Sequence, residues 1–157
     1  MAARDLMTGI GLTPKVSLAL PVHNGAAFID ECIASILRQT FADFELIVCD
    51  NASTDDTEAI CREIGSRDSR VRYYRQLTNT GIGRNWDFVC QQATGEYFMW
   101  AAHDDQWSPN AVSALAQALA EEPEAVLAFP NNCFINDRGE SVIDCSQLPD
   151  LAGPLPL

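Results

Sequence analysis

The alternation of short apolar runs with amphipathic helical patterns is the feature that most restricts the fold of this 157-residue chain. Between the runs, apolar residues recur at three- and four-residue intervals. The runs cover residues 15–21, 45–50, 71–75, 96–102 and 125–129. Strands that alternate with helices form parallel sheets, because each helix carries the chain back across the sheet. The sequence therefore predicts an α/β fold, with a mostly parallel sheet and helices on both faces.

The first helical segment has one apolar and one polar face. Its apolar face consists of Phe28, Ile29, Cys32, Ile33, Ile36 and Leu37. Its polar face, which is expected to point outward, consists of Asp30, Glu31, Arg38 and Gln39. The second helix has natural N-caps in Ser53, Thr54 and Asp55. The apolar run at 96–102 has the composition of a buried, central strand.

The composition is that of an ordinary globular protein with an acidic surface. Hydrophobic residues make up 47% of the chain and charged residues 20%, which is enough for a core. The formal net charge is −12 and the ten Lys and Arg residues are scattered, which argues against a surface for nucleic acid or anionic membrane. No apolar run approaches membrane-spanning length, and the chain does not start with the apolar core of a signal peptide. We therefore expect a cytoplasmic protein with no transmembrane segment and no nucleic-acid partner.

The chain is predicted to form one domain with two tails. Residues 1–14 form an N-terminal tail, residues 15–145 form the domain, and residues 146–157, with three prolines and no periodicity, form a loose C-terminal tail. A hairpin is predicted around residues 136–140. The six cysteines show no C-x-x-C pair, so reduced thiols are expected rather than a zinc site or a disulfide framework.

Three polar segments follow the first, second and fourth predicted strands, at residues 23–25, 50–53 and 103–105. Because the carboxyl ends of parallel strands meet at one edge of a sheet, these segments are predicted to converge in a ligand cleft. The third contains Asp104 and Asp105, and adjacent carboxylates could hold a hard divalent cation against a diphosphate. The alternative is turn chemistry, since Asp-Asp-x-x-Ser-Pro also suits an Asx-turn or a helix start, and residues 23–25 suit a tight turn.

Six motifs follow one another along the chain, at residues 16–25, 47–57, 79–81, 84–85, 93–97 and 103–105. In this order they resemble the N-terminal half of a family 2 glycosyltransferase with the GT-A fold, which is Rossmann-like. The order matters, because a single Asp-Asp pair would be uninformative. An NAD-binding Rossmann domain is disfavoured, since no Gly-x-Gly-x-x-Gly follows the first strand.

The resemblance implies a metal-dependent, inverting glycosyltransferase in the synthesis of a cell-surface or secreted glycan. It would move a sugar from a nucleoside diphosphate to a hydroxyl of a saccharide or lipid-linked acceptor. The implied nucleotide-binding residues are Pro21, His23, Asn24, Asp50, Asn51, Arg84 and Asp104. The implied metal ligand is Asp105, which would bind Mg²⁺ or Mn²⁺. The sequence leaves three roles for His103: a further metal ligand, a proton carrier or a structural residue.

The sequence departs from the family pattern at two positions. Many members carry an acid where this chain has Asn51, whose amide oxygen could still accept a bond from a pyrimidine NH, so the base preference is open. An acid also often stands where this chain has Ala102.

The catalytic base of inverting members comes from a segment downstream of the metal motif. The acids of the predicted hairpin and tail, namely Asp137, Glu140, Asp144 and Asp150, do not match it, so the catalytic residue is unknown. We expect the chain to be truncated. The alternative function is a non-catalytic nucleotide-sugar-binding fragment without an acceptor half.

Overall fold

The computed structural model describes residues 13–142 of the chain. Four strands alternate with four helices in this part of the sequence. In chain order they are β1 (Val16–Val22), α1 (Ile29–Leu37), β2 (Phe44–Asp50), α2 (Thr57–Arg67), β3 (Val71–Arg75), α3 (Ile82–Gln92), β4 (Tyr97–Trp100) and α4 (Ala111–Glu121). The two predicted tails lie almost wholly outside the described residues. No helix in the described part of the chain is both long and apolar enough to cross a membrane.

The described residues form two compact units, one of residues 13–34 and 42–105 and the other of residues 35–41 and 106–142. The first unit contains a sheet of strand order β3-β2-β1-β4. All neighbouring strands in it are parallel, with Val16 opposite both Phe44 and Tyr97. The predicted α/β fold with a parallel sheet is therefore confirmed.

The two central strands, β1 and β2, are buried along their whole length. Successive side chains along a strand point to opposite faces of a sheet. On one face Ala19, Ile47 and Cys49 pack against Val89 of α3. On the other face the ring of Tyr73 lies 5.2 Å from the guanidinium of Arg62 of α2. Helices thus cover both faces, as predicted.

A buried carboxylate ties several elements together at the amino end of the sheet. Glu45 accepts hydrogen bonds from the Ser17 hydroxyl at 2.6 Å and from the Thr94 amide and hydroxyl at 2.8 Å. It also pairs with Arg72, whose guanidinium donates to the Gln92 carbonyl at 3.1 Å. Burial raises the pKa of Glu45, but the hydrogen bonds outweigh this effect and lower the pKa overall. The cluster fastens β1, β2 and β3 to the end of α3.

The expectation that residues 96–102 form a buried, central strand is wrong. In the described sheet β4 is an edge strand of four residues that pairs only with β1, and Phe98 and Trp100 are half-exposed. The predicted fifth strand at 125–129 is also wrong, since this segment is irregular and Val126 is almost fully exposed. An apolar run becomes a strand only where a neighbouring strand satisfies its backbone groups, and no strand pairs with 125–129 in residues 13–142.

In the second unit the amide of Gln39 joins two segments. It donates to the Ser108 carbonyl at 2.6 Å and accepts from the Val112 amide at 3.0 Å, at the start of α4. Phe28, which precedes α1, is 42% exposed, so its predicted inward direction is wrong. Gln39 is buried, so its predicted outward direction is also wrong. The reason is that α1 ends at Leu37, and the helical period no longer applies two residues later.

The predicted hairpin turn forms in the same unit, with a bridge between Ile135 and Ser141 and with Gly139 in the left-handed region. Cys32, Cys49, Cys61 and Cys90 are thiols, as expected. Cys133 is disulfide-bonded, so the expectation of six reduced thiols is wrong at that position.

Candidate functional site

The loops that follow β1 and β2 are bonded to each other at the carboxyl edge of the sheet. Both contain a residue in the left-handed region, Asn24 at φ 54° and Ala52 at φ 59°. Five hydrogen bonds join the loops: Asn24 N to Ser53 Oγ at 2.9 Å, Gly25 N to Thr57 Oγ1 at 2.9 Å, Ala26 N to Asp55 Oδ2 at 3.0 Å, and Thr54 N and Oγ1 to Asn24 Oδ1 at 2.8 and 3.4 Å. The first two polar segments are therefore held together, as the parallel topology predicts.

These bonds also correct the predicted caps of α2. The N-cap residue is Asp56, and its side chain makes no capping hydrogen bond. Asp55 instead accepts from the Thr57 amide at 3.1 Å and the Thr57 hydroxyl, while Ser53 accepts from the neighbouring loop. Asp55 therefore satisfies the first amide of α2 and also joins the two loops, whereas Ser53 and Thr54 join the loops without capping the helix.

The third polar segment lies against the first at Gly25. A Cβ atom on this glycine would stand 2.7 Å from Cδ2 of His103 and 2.6 Å from Cγ2 of Val22. Real Cβ contacts are longer than this, so the close approach of the His103 ring requires glycine at position 25. The structure therefore brings residues 23–25, 50–53 and 103–105 together.

Asp104 and Asp105 follow β4 in a short turn in which the Asp105 amide donates to the Ala102 carbonyl at 3.3 Å. The thiol of Cys32 donates to the same carbonyl at 3.1 Å. Burial and the neighbouring charge of Asp104 raise the pKa of Asp105 above its ordinary value. Burial, followed by the charges of Asp105 and Asp104, raises the pKa of Cys32 to about 12.

This carboxylate pair fits a hard divalent cation. Residues 13–142 contain no cluster of three or more His, Cys, Asp or Glu side chains that could enclose a metal. Mg²⁺ in nucleotide sites takes only one or two carboxylates and completes its shell with phosphate oxygens and water. A nearby cation would also offset the two effects that raise the pKa of Asp105, its burial and the neighbouring charge of Asp104.

Asp50 is fully buried at the end of β2, and both of its carboxylate oxygens have protein partners. One accepts from the Ser53 amide at 2.7 Å, and the other accepts from the Tyr73 hydroxyl at 2.9 Å and pairs with Arg75. Asn51 is also buried, and its amide bonds to residues 79–81. A direct contact of either residue with a nucleotide stays a prediction, and it would have to replace bonds present here.

The remaining predicted site residues differ in accessibility. His23 and Asn24 are exposed, and Nε2 of His23 lies 3.2 Å from Nδ2 of Asn79. Arg84 is exposed on the first turn of α3, where it forms none of the ion pairs found in residues 13–142. Asp104 is exposed, whereas Pro21 is buried opposite Cys49.

The sequence reasoning assigned no supporting contact to six residues of this edge, although Ser53, Thr57, Asn79 and Thr80 lie in motifs that it named. They are Ser53 and Thr57 between the loops, Tyr73 and Arg75 around Asp50, and Asn79 and Thr80 beside Asn51. One signal was available for Arg75, because it ends β3 as Asp50 ends β2, and opposite charges at neighbouring strand ends tend to pair. The bonds of Asn51 had no such signal.

A parallel α/β sheet whose polar loops meet at the carboxyl edge is an architecture typical of nucleotide-binding domains. The profile of glycosyl transferase family 2 matches residues 17–144. The chain therefore belongs to glycosyl transferase family 2, and the predicted resemblance is confirmed. A relative from Campylobacter jejuni, named GalNAc(5)-diNAcBac-PP-undecaprenol beta-1,3-glucosyltransferase, is 32% identical over 127 residues, which are 80% of this chain and 40% of that protein.

Solved structures of glycosyltransferases share the fold, and the predicted GT-A fold is confirmed. Staphylococcus aureus TarS 1–349 in complex with UDP superposes with a TM-score of 0.65 at 27% identity, over 69% of this chain and 33% of TarS 1–349. A mannosyltransferase from Pyrobaculum calidifontis, in complex with GDP-Man and Mn²⁺, superposes with a TM-score of 0.64 at 23% identity, over 71% of this chain and 34% of that chain. In eight curated relatives that it matches, the chain spans between 11% and 40% of their length.

Proposed function

We propose that this chain is the donor-binding part of a glycosyltransferase that takes a sugar from a pyrimidine nucleoside diphosphate. The proposed reaction depends on Mg²⁺ or Mn²⁺, inverts the anomeric configuration and takes place in the cytoplasm. The acceptor would be a hydroxyl of a saccharide or lipid-linked saccharide in the synthesis of a cell-surface or secreted glycan. Family membership and the UDP complex of TarS support the donor class.

The observation that carries this proposal is the position of the Asp104–Asp105 pair beside two interlocked loops. Hydrogen bonds already fix the conformation of the two loops, so the loops would lose little conformational entropy when a nucleotide binds. The carboxylates bring two negative charges to the same edge, and burial, followed by the charge of Asp104, raises the pKa of Asp105. A diphosphate adds further negative charge, so a cation is needed for the pair and the donor to share one site.

In this proposal the residues of the edge have distinct tasks. His23 and Asn24 are exposed on the first loop, where they would contact the base and ribose, with Pro21 behind them. Asp50 and Asn51 would support them from the second loop, and Asp104 would bond to the ribose. Arg84, which is exposed at the start of α3, would pair with the diphosphate.

Asp105 would hold the divalent cation together with diphosphate oxygens. When bound, such an ion stabilises the charge that develops on a departing diphosphate. His103 remains a structural residue in this proposal, because its ring rests on Gly25.

Calorimetric titration of the full chain with UDP tests the proposal. We expect binding in Mn²⁺ and its loss in a chelator. Asp105→Asn should weaken binding by about tenfold to a hundredfold, the range for a lost charge-assisted contact. Asp30→Asn is the matched control, because it removes an exposed carboxylate on α1 and should leave affinity unchanged. Equal affinity in Mn²⁺ and in chelator would refute the metal assignment.

A second candidate function is donor binding without transfer. It follows from the roles assigned above, because each of these residues would bind the donor or its metal ion and none is assigned as the base that deprotonates the acceptor. Turnover of UDP-sugars with a panel of saccharide and lipid-linked acceptors separates the two. Glycosidic product supports the transferase, whereas donor binding with hydrolysis alone supports the binding module.

A further inference from the structure

Asn51 stands directly after β2, and its side-chain amide makes four hydrogen bonds to one loop. Its Oδ1 accepts from the Thr80 amide at 2.9 Å and from the Thr80 hydroxyl at 3.1 Å. Its Nδ2 donates to Asn79 Oδ1 at 3.0 Å and to the Gly81 carbonyl at 3.3 Å. The residue is 3% exposed. One buried amide thus holds three consecutive residues of the segment between β3 and α3.

This segment determines where α3 begins. Gly81 is the N-cap residue of α3 and has φ 83°, and no side chain caps the helix. Asn79 Oδ1 also accepts from the Gly81 amide at 2.9 Å, so Asn51 and Asn79 together fix the first helical turn. Arg84 lies on that turn. The Nδ2 atom of Asn79 lies 3.2 Å from Nε2 of His23. The amide of Asn51 is therefore linked to both His23 and the backbone that carries Arg84.

We propose that Asn51 is a positioning residue for the diphosphate, which acts by fixing residues 79–81 and through them the guanidinium of Arg84. This inference rests on the proposed donor class. It differs from a base contact, because all hydrogen-bonding atoms of the Asn51 side chain are already engaged with the loop.

The position requires an amide rather than a carboxylate. Nδ2 faces two acceptors, Asn79 Oδ1 and the Gly81 carbonyl, and a carboxylate has no proton to donate to either. Asn51→Asp would keep the bonds from Thr80 but would place a buried negative charge against two oxygen atoms. Asn51→Asp should therefore disturb the loop at least as much as Asn51→Ala, although it is nearly the same size.

The experiment is a double-mutant cycle between Asn51 and Arg84, read by calorimetry of the full chain with UDP and with uridine in Mn²⁺. Asn51→Ala and Asn51→Asp should each weaken UDP binding by about tenfold, the effect of losing one to two well-made hydrogen bonds. Uridine affinity should fall by a clearly smaller factor, because uridine lacks the diphosphate that Arg84 would bind and is affected only through the contact of Asn79 with His23. The variant lacking both Asn51 and Arg84 side chains should bind UDP no more weakly than Arg84→Ala alone, because coupled residues are not additive.

Other outcomes overturn specific claims. Equal losses of UDP and uridine affinity would indicate that Asn51 acts on the base rather than on the diphosphate. Multiplicative losses in the double variant would show that Asn51 acts independently of Arg84. Either result would overturn the positioning role. Thr80→Val is a milder second variant, for use if the Asn51 variants do not fold. It removes only the 3.1 Å bond from the Thr80 hydroxyl and should weaken UDP binding by about twofold to threefold. Wild-type affinity in that variant would also contradict the inference. Failure of the unmodified chain to bind UDP would instead refute the proposed function itself.

Discussion

The buried carboxylate of Glu45 gives the sharpest stability prediction. Its partners belong to β1, β3 and the segment after α3, and they include a half-exposed Arg72. Removing one member of a buried ion pair typically costs about 3–5 kcal/mol. We expect Glu45→Ala near the lower end, about 3 kcal/mol, because Arg72 keeps contact with water and with the Gln92 carbonyl and Tyr74 hydroxyl. Glu45→Gln retains one acceptor oxygen and should cost about 2 kcal/mol.

Urea unfolding followed by tryptophan fluorescence measures these differences. Domains of this size are stable by about 5–15 kcal/mol, so the Gln variant should remain folded enough to titrate. Glu96→Gln is the matched control, because Glu96 forms an exposed ion pair with Lys15 and its loss should cost less than about 1 kcal/mol. If Glu45→Gln were no more destabilising than Glu96→Gln, the cluster would not hold the sheet together as argued.

The remaining predictions concern pH and two glycines. The pKa of Glu45 in the folded state is below its ordinary value of 4.5. Its contribution to the free energy of unfolding is therefore present above pH 4.5 and is lost as the pH falls through the folded-state pKa. In urea titrations the stability difference between wild type and Glu45→Gln should shrink below about pH 4.5. Gly95→Ala should destabilise by about 1–3 kcal/mol, because the added Cβ would stand 2.6 Å from the Ser17 backbone nitrogen; an unchanged urea midpoint would contradict this. Gly25→Ala should lower the free energy of unfolding by about 1 kcal/mol and should also raise the Kd for UDP in Mn²⁺. The reason is that the His103 ring, next to Asp104 and Asp105, must move; an unchanged Kd would contradict this.

The sequence predicted β1, β2 and β3 to within one residue. β1 and β2 are buried on both faces and read as continuous apolar runs, whereas β3 is mostly half-buried and carries two arginines. The convergence of the three polar segments followed from parallel topology alone. Gln39 and residues 125–129 were mispredicted for a different reason: local pattern does not show where a helix stops or whether a strand finds a neighbour. At the site, residue types were predictable but their partners were not. Asp50 and Asn51 have the polarity of ligand contacts, yet their partners depend on the register of β3 and on the path of residues 79–81.

The place of β1 between β2 and β4 has a consequence for how the chain assembles. Partners on β1 and β2 are 28 positions apart, whereas partners on β1 and β4 are 81 positions apart. Closing the longer loop costs about 1 kcal/mol more in chain entropy, so the β1–β2 pair should form first. At about 5–20 residues per second, a ribosome needs roughly 3–10 s to add the stretch from the end of β2 to the end of β4. During that interval the Val16–Ala19 edge has no partner within the nascent chain, and a chaperone or a neighbouring nascent strand can bind there before Tyr97–Trp100 is available.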